Sequence, residues 1–380
     1  MNTETEVGSV SGKLPVLLQK TIITIMGRAT EDEVIARLGN RPGPMRDGSR
    51  RIEVDVRVPV GLPIPEVADF VQRCERAGLN GVGVHDHHHS GRDVYVTLAY
   101  AACCTDKIRL YPATSNTVTR HPLVLAALAN SLEEAAPGRT FLSLAPGYRS
   151  VESVGRKATP IEKLREDVLT VRRLLAGNEV PLPAGRSMQL SNRPEPPPPV
   201  LLLASGPRLL ELAGEVADGV LMLVGLHPDA IAAAREHLRV GAARADRDMR
   251  ELREVFIVPI AVAERSGARQ WPQRWFREGQ PWLEYPSRSN LRWLREAGIE
   301  VAEGTDPSAI SDHLAERVCD AFGLFGEPGH CAERLMRAHE EAGIEHVFLF
   351  PAHDMKTGYE LPHAEVEAFG ETIGPRLAGC

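Results

Sequence analysis

Between His85 and Tyr95 the chain reads HDHHHSGRDVY, which places four histidines and two aspartates within nine residues. Imidazole is the side chain whose unperturbed pKa lies near neutrality, so a histidine can pass a proton or, when neutral, bind a metal. An adjacent carboxylate can orient such a ring. The stretch therefore allows three readings: a metal site, an acid–base site serving another cofactor, or a polar loop in solvent. Three further places carry groups able to do chemistry. ATSN at 113–116 and APGY at 145–148 each close an apolar run, and SGP at 205–207 joins an apolar run to a helical one. Small residues between a strand and a helix let backbone N–H groups approach an anion, and the helix dipole assists.

These groups must be positioned by the elements before them, which are short and β-rich. From Arg51 onward such runs alternate with helical stretches. IEVDVRV, GVGVHD, KIRLYPATS, RTFLSLAP, PVLLLAS, DGVLMLVG, VFIVPIAVA and EHVFLFP make about eight strands. Between them lie PEVADFVQRCERAG, VYVTLAYAACC, PLVLAALANSLEEAA and PIEKLREDVLTVRRLLAG. In the first of these, Val67, Phe70, Val71 and Cys74 recur at helical spacing, and Gly78 is a suitable stop. Strict alternation implies a parallel sheet with right-handed crossovers. Eight units over roughly 330 residues predict an α/β fold, the (β/α)8 TIM barrel. A doubly wound open sheet is the alternative. Residues 1–50 read as an N-terminal extension, with a short helix at EDEVIARL and then a breaker-rich loop, and 51–380 as the barrel domain. SNRPEPPPPV is an extended approach to strand five. RQWPQRWFREGQPWLEYP is an insertion before the last strand, at the C-terminal face, that covers the mouth.

In such a barrel the active residues project from the C-terminal strand ends. Those ends are His85-Asp86-His87, Ala113 to Asn116, Ala145 to Tyr148, Ala204 to Pro207, Gly225 and His353-Asp354. His85-x-His87 resembles the paired histidines of metal-dependent barrel hydrolases, which need the pair on strand one and further ligands from strands five and six. Here LLLASG and LMLVG supply none, and His227 and His353 reach the pair only if their loops fold inward. His85 and His87 also share one strand face while Asp86 takes the other, unless the strand ends at Asp86. His88 and His89 read as solvated loop residues.

The bulk numbers narrow the partners. The 380 residues are 43% hydrophobic and 25% charged, ordinary for a globular protein. A formal charge of -7 argues against nucleic acid and anionic membrane surfaces. Cys74, Cys103, Cys104, Cys319, Cys331 and Cys380 show no CxxC spacing, so free thiols in a reducing cytosol are expected. No signal peptide and no apolar run of roughly 18 residues is read, which predicts a cytoplasmic protein. A small-molecule substrate and a homo-oligomer, a dimer in the simplest case, complete the expectation.

Taken together, DHHHSGRDVYVTL, VTRHPLVLAALANSLEEAAPGRTFLSLAPG and PVLLLASGPRLLELAGEVADGVLM resemble the bacterial luciferase-like superfamily. Within it they are similar to the branch that uses the deazaflavin coenzyme F420, which includes methylenetetrahydromethanopterin reductase. The resemblance runs from about residue 52 to 260 and rests on the ordered co-occurrence of the segments. It implies the same barrel. It implies Asp86 and His87 beside the deazaflavin ring, and a strand-three bulge at Ala113 and Thr114 with a non-proline cis peptide against the ring face. Asn116 is then a ring-edge contact, Gly147 approaches from strand four, and Ser205, Gly206 and Pro207 hold the phosphate region. Tyr148 departs from the pattern, because the family commonly carries Asp or Glu there. Strand one offers Asp55 and Arg57 but no match to the reductase's carboxylates, which bears on the pterin substrate and on the proton donor.

The resulting expectation is an oxidoreductase that moves a hydride between F420 and a small molecule. His87 would bond the ring or act as acid–base, Asp86 would orient it or bind the ring edge, and Tyr148 would donate a proton or serve as a wall. An FMN-dependent luciferase-like monooxygenase is the alternative. A metal-dependent barrel hydrolase or a non-catalytic cofactor-binding protein is the second.

Overall fold

The computed structural model describes residues 52–182, 185–271, 288–301, 310–353 and 357–378. The expectations for residues 1–50, for most of the tryptophan-containing insertion and for Asp354 lie outside the described residues.

All eight expected runs form wall strands, and all pair in parallel. In chain order they begin with β1 (Glu53–Val58), β2 (Gly81–Val84) and a third run split into β3 (Arg109–Pro112) and β4 (Ser115–Asn116). Next come β5 (Leu142–Ala145), a hairpin of β6 (Val180–Leu182) and β7 (Arg186–Met188) outside the wall, β8 (Val200–Ala204) and β9 (Gly219–Met222). The last are β10 (Arg253–Val262), β11 (Leu324–Gly326) and β12 (His346–Pro351). Around the wall the order is β3-β2-β1-β12-β10-β9-β8-β5-β4, with β11 added to the end of β10. The two ends of that path are the halves of one run, so the sheet curls into a nearly closed barrel. A parallel bridge between Leu110 and Thr140 closes it.

The crossovers are helices that lay one apolar face on the wall. α1 (Ile64–Arg76) buries Val67, Phe70, Val71 and Cys74, the spacing read from sequence, and Gly78 follows it at φ 83°. Each fully buried side chain of this size contributes about 1.5–3 kcal/mol. α2 (Val94–Cys104), α3 (Pro122–Ala135), the short α4 (Arg149–Glu152) and α5 (Ile161–Leu175) follow in the first half. α6 (Pro207–Val216), α7 (Pro228–Arg244), the short α8 (Arg265–Ala268), α9 (Arg288–Glu296), α10 (Asp312–Phe322) and α11 (Pro328–Ala342) follow in the second. β11 and the helices α7 to α11 are not among the elements named from the sequence.

Strand β1 shows how the barrel sorts its side chains. Val54, Val56 and Val58 turn outward into the core shared with the helices, whereas Asp55 and Arg57 point into the lumen and are buried. The lumen is otherwise filled by Tyr111, Phe141, Leu201, Leu221, Val255, Ile257 and Phe348. Toward the N-terminal end Asp55 accepts from Arg109 at 3.1 Å and from the Tyr111 hydroxyl at 2.9 Å, and lies 2.9 Å from His346 Nε2. Burial opposes ionisation of Asp55, but the His346 and Arg109 charges and these hydrogen bonds outweigh it and hold its pKa at about 2. Arg109 also donates to Glu53 at 2.6 Å. An ion network thus forms the barrel floor.

Candidate active site

β2 stops at Val84, so His85, Asp86 and His87 leave the wall in sequence at the C-terminal face. Asp86 is 2% exposed and is held from two sides. The Ser115 hydroxyl, first residue of β4, donates to its Oδ2 at 2.7 Å, and Arg120 donates to the same oxygen at 2.5 Å. The other arm of Arg120 donates to Asp93 at 2.7 Å, while its guanidinium lies 5.2 Å over the Tyr95 ring. Asp93 caps α2 by accepting from the Tyr95 and Val96 amides, and the Tyr95 hydroxyl lies 3.0 Å from Ser115 Oγ. Burial works against the Arg120 charge, but Asp86 and Asp93 raise its pKa overall. The RDVY and TRHP segments therefore meet at one arginine.

The histidines form a stack. His85 Nε2 accepts from Arg57 Nε at 2.5 Å, and Arg57 lies 5.0 Å over the Phe350 ring. Arg57 is 2% exposed; burial lowers its pKa to about 9. His85 is held well below the usual histidine range by burial, then by the charges of Arg57, His87 and His353. It is a neutral acceptor. His87 is half-buried, with its ring 4.6 Å from that of His85 and 5.4 Å from that of His89. Its Nδ1 lies 3.1 Å from the Tyr359 hydroxyl, which in turn lies 2.5 Å from His89 Nε2. His89 was expected to be idle, but the structure gives it a partner. His88 Nδ1 lies 3.6 Å from Asp86 Oδ1, and its Nε2 is buried with no hydrogen-bond partner among the described residues.

The strand-three residues line the break between β3 and β4. The peptide bond between Ala113 and Thr114 is cis, the geometry that the resemblance implies. Ala113 turns toward the lumen where β2 carries Gly83; a Cβ there would lie 2.8 Å from that of Ala113. Ala113, like Leu203, Leu223 and Phe350, is partly buried and packs against the apolar core of the lumen. Asn116 is fully buried, and its Oδ1 accepts from the Val118 and Thr119 amides at 3.1 and 2.9 Å. Its carbonyl thus shapes the loop that delivers Arg120. Gly147 needs its φ of 84°, and a Cβ there would lie 2.3 Å from Val151 Cγ2. Tyr148 stands at the rim with 52% of its surface exposed, and partial burial pushes its pKa up.

On the opposite side of the mouth, Gly206 is the N-cap of α6, Pro207 its first residue, and no side chain caps the helix start. The Ser205 carbonyl accepts from Trp293 Nε1 of α9 at 2.7 Å. His227 caps α7 by accepting from the Asp229 amide at 3.3 Å, and His353 Nδ1 lies 2.9 Å from the Pro351 carbonyl. Among the described residues no three His, Cys, Asp or Glu side chains converge as metal ligands. Sequence reading missed Tyr95, Arg120, Trp293 and Tyr359 as parts of this site, and named Arg57 only as a strand-one residue bearing on the substrate. Only the RDVY and TRHP segments gave a signal for two of them.

Residues 41–346 match the family described as luciferase-like monooxygenase. The chain is 29% identical over 287 residues to 5,10-methylenetetrahydromethanopterin reductase from Methanolobus tindarius, covering 72% of this chain and 86% of the relative. It is 26% identical to the F420-dependent glucose-6-phosphate dehydrogenase of Beutenbergia cavernae, covering 80% and 90%. Among solved structures it is similar to the coenzyme F420 dependent tetrahydromethanopterin reductase from Methanopyrus kandleri, with a TM-score of 0.66 and 19% identity over 86% of this chain and 99% of the other. With some four-fifths of its length matched and the eight-stranded wall in place, the chain belongs to the luciferase-like monooxygenase family.

Proposed function

We propose that this oxidoreductase transfers a hydride between coenzyme F420 and a small-molecule substrate. The observation that carries the reading is the Asp86–His87 pair at the end of β2, with Asp86 locked to Ser115 beside the strand-three break. The relative from Beutenbergia cavernae, named as an F420-dependent glucose-6-phosphate dehydrogenase, supports the same cofactor. Two features fit a ring with a phosphorylated tail. Among the described residues the start of α6 has no side-chain cap, and the His88 Nε2 is buried without a partner.

Asp86, Ala113, Thr114, Asn116 and Gly147 would hold the ring, and Ser205, Gly206 and Pro207 the phosphate region, where the positive end of α6 favours an anion. Bound there, the deazaflavin supplies a two-electron hydride donor or acceptor. The protein's own task is to orient the substrate and to manage one proton. His87 is the acid–base group in this reading, and Asp86 positions it through the backbone of their shared turn. Tyr148 is a rim residue able to hydrogen-bond substrate. No helix of the described residues is long and apolar enough to cross a membrane, and the described cysteines are free thiols, which suits a place in the cytosol. A homo-oligomer belongs to the same proposal.

The test is a pair of absorbance titrations of the full chain, with F420 and with FMN. F420 is expected to bind more tightly. A clear preference for FMN would replace this reading with that of a flavin-dependent monooxygenase.

A further inference from the structure

We propose that His89, the Tyr359 hydroxyl and His87 form a proton relay between solvent and the reacting substrate. The inference rests on the reading of His87 as the acid–base group. Its geometry is a chain of two hydrogen bonds, 3.1 Å from His87 Nδ1 to the Tyr359 oxygen and 2.5 Å from that oxygen to His89 Nε2. Both lie within hydrogen-bond range. Exposure rises along the chain, from half-buried His87 and Tyr359 to exposed His89. The two imidazoles lie face to face at 5.4 Å with 27° between their planes, and the tyrosine ring stands edge-on to His89 at 88°. A short 3-10 turn, His88–Ser90, follows His87 and brings His89 back beside it.

Tyr359 is held in place by elements far from it in sequence. Arg57 donates to the carbonyl of Gly358 at 2.5 Å. Gly61 approaches so closely that a Cβ there would lie 2.2 Å from the Tyr359 carbonyl oxygen. The backbone that carries the tyrosine is therefore held by Arg57 of β1 and by the close approach of Gly61.

Other groups at the mouth are poorly placed for this task. Asp86 already accepts from Arg120 and Ser115 through one oxygen, so it is engaged in holding the turn. His85 already accepts from Arg57. Tyr148 stands where the family commonly carries a carboxylate, and it is exposed at the rim. Hydride transfer to carbon still requires a proton at the neighbouring atom. In the reducing direction a bound reduced deazaflavin would supply hydride to an unsaturated carbon, and the electron pair displaced onto the neighbouring atom would take a proton from the His87 nitrogen remote from Tyr359. His87 Nδ1 takes the tyrosine hydroxyl proton, the tyrosine oxygen takes the proton of His89 Nε2, and water reprotonates His89. One proton enters and one leaves at every station. Substrate oxidation runs the same chain outward.

The experiment needs no substrate. Exchange of the His87 ring N–H with solvent is measured by 15N NMR on the full chain with F420 bound, for wild type, Tyr359→Phe and His89→Ala. Tyr359→Phe removes one oxygen and keeps the ring. Both variants are expected to slow exchange at least ~10-fold while F420 affinity stays within about twofold. Free imidazole added to His89→Ala should restore the rate and should leave Tyr359→Phe slow, a pattern that a merely structural role would not produce. Unchanged exchange in both variants overturns the relay and leaves the F420 reading standing. Slowed exchange that imidazole does not rescue also overturns it. Failure of wild type to bind F420 overturns the proposed function, and the relay with it.

Discussion

Replacing Arg120 by Met removes the cation that holds Asp86 while keeping much of the side-chain volume. The two arms of Arg120 are not equivalent. The arm on Asp93 meets a carboxylate whose side chain is 45% exposed, so it contributes about 0–1 kcal/mol, as surface pairs do. The arm on Asp86 meets one that is 1% exposed, and breaking a buried pair from one side costs about 3–5 kcal/mol. The Tyr95 ring face adds about 0.5–1 kcal/mol. Arg120→Met should therefore lose ~3–5 kcal/mol in urea unfolding at neutral pH, most of it through the stranded carboxylate. That origin can be isolated. Asp86→Asn in the same background removes the charge and keeps the shape, so the double variant should recover ~1–2 kcal/mol over Arg120→Met. A loss below ~1 kcal/mol, or a double variant no more stable than the single, would refute the clamp.

Asp55 gives a pH signature of the barrel floor. Its pKa is held at about 2 against the usual 3.8, a difference of about two units and ~2–3 kcal/mol. A carboxylate depressed in the folded state contributes fully above its unfolded pKa and loses that contribution as pH falls through the folded one. Wild-type stability should thus decline between about pH 4 and pH 2 through this group, and Asp55→Asn should flatten that part of the profile; parallel profiles would count against the assignment. Gly147→Ala forces a non-glycine residue to a φ of 84° and sets a Cβ 2.3 Å from Val151 Cγ2, so it should cost ~2–4 kcal/mol in unfolding, and a change under ~1 kcal/mol would show that Val151 yields. His87→Ala should slow single-turnover hydride transfer roughly 100-fold with little change in melting temperature, and near-wild-type turnover would remove His87 from the chemistry.

The wall of the barrel was legible because strands buried on both faces read as compact apolar runs, and each such run proved to be a wall strand. β1 is instructive because its alternation has the look of a half-exposed strand. In a closed barrel the second face is the lumen, and Asp55 and Arg57 turn there instead of toward water. The candidate site was legible only where it is local. The HDHHH run and the turn at Ser205 announce themselves within a few residues. Arg120 reaches Asp86 across 34 positions and Tyr359 reaches His87 across 272, contacts that exist only once the sheet has curled. His89 looked like a loop residue for the same reason, because its partner comes from the far end of the chain. Tyr148 was correctly placed at the end of strand four, but nothing in its type foretold its 52% exposure.

The split third strand gives the wall the mechanics of a hoop with a clasp. Elsewhere neighbouring strands share ladders of two to five paired residues, but β3 meets the strand-four run through the single bridge of Leu110 to Thr140. The rest of the fastening is done by side chains. The Ser143 hydroxyl donates to the Pro112 carbonyl, and the buried Arg139 guanidinium donates to the carbonyls of Ile108 and Thr105. A hoop under load opens at its fastener, so radial breathing of this barrel is expected to concentrate between β3 and β5, where the pairing is thinnest. A ring held against Ala113, Thr114 and Gly147, as proposed above, would straddle that fastener and act as its rivet. Tightness of binding and stiffness of the barrel would then be one property, adjustable through Ser143 and Arg139, which lie outside the residues proposed to hold the ring.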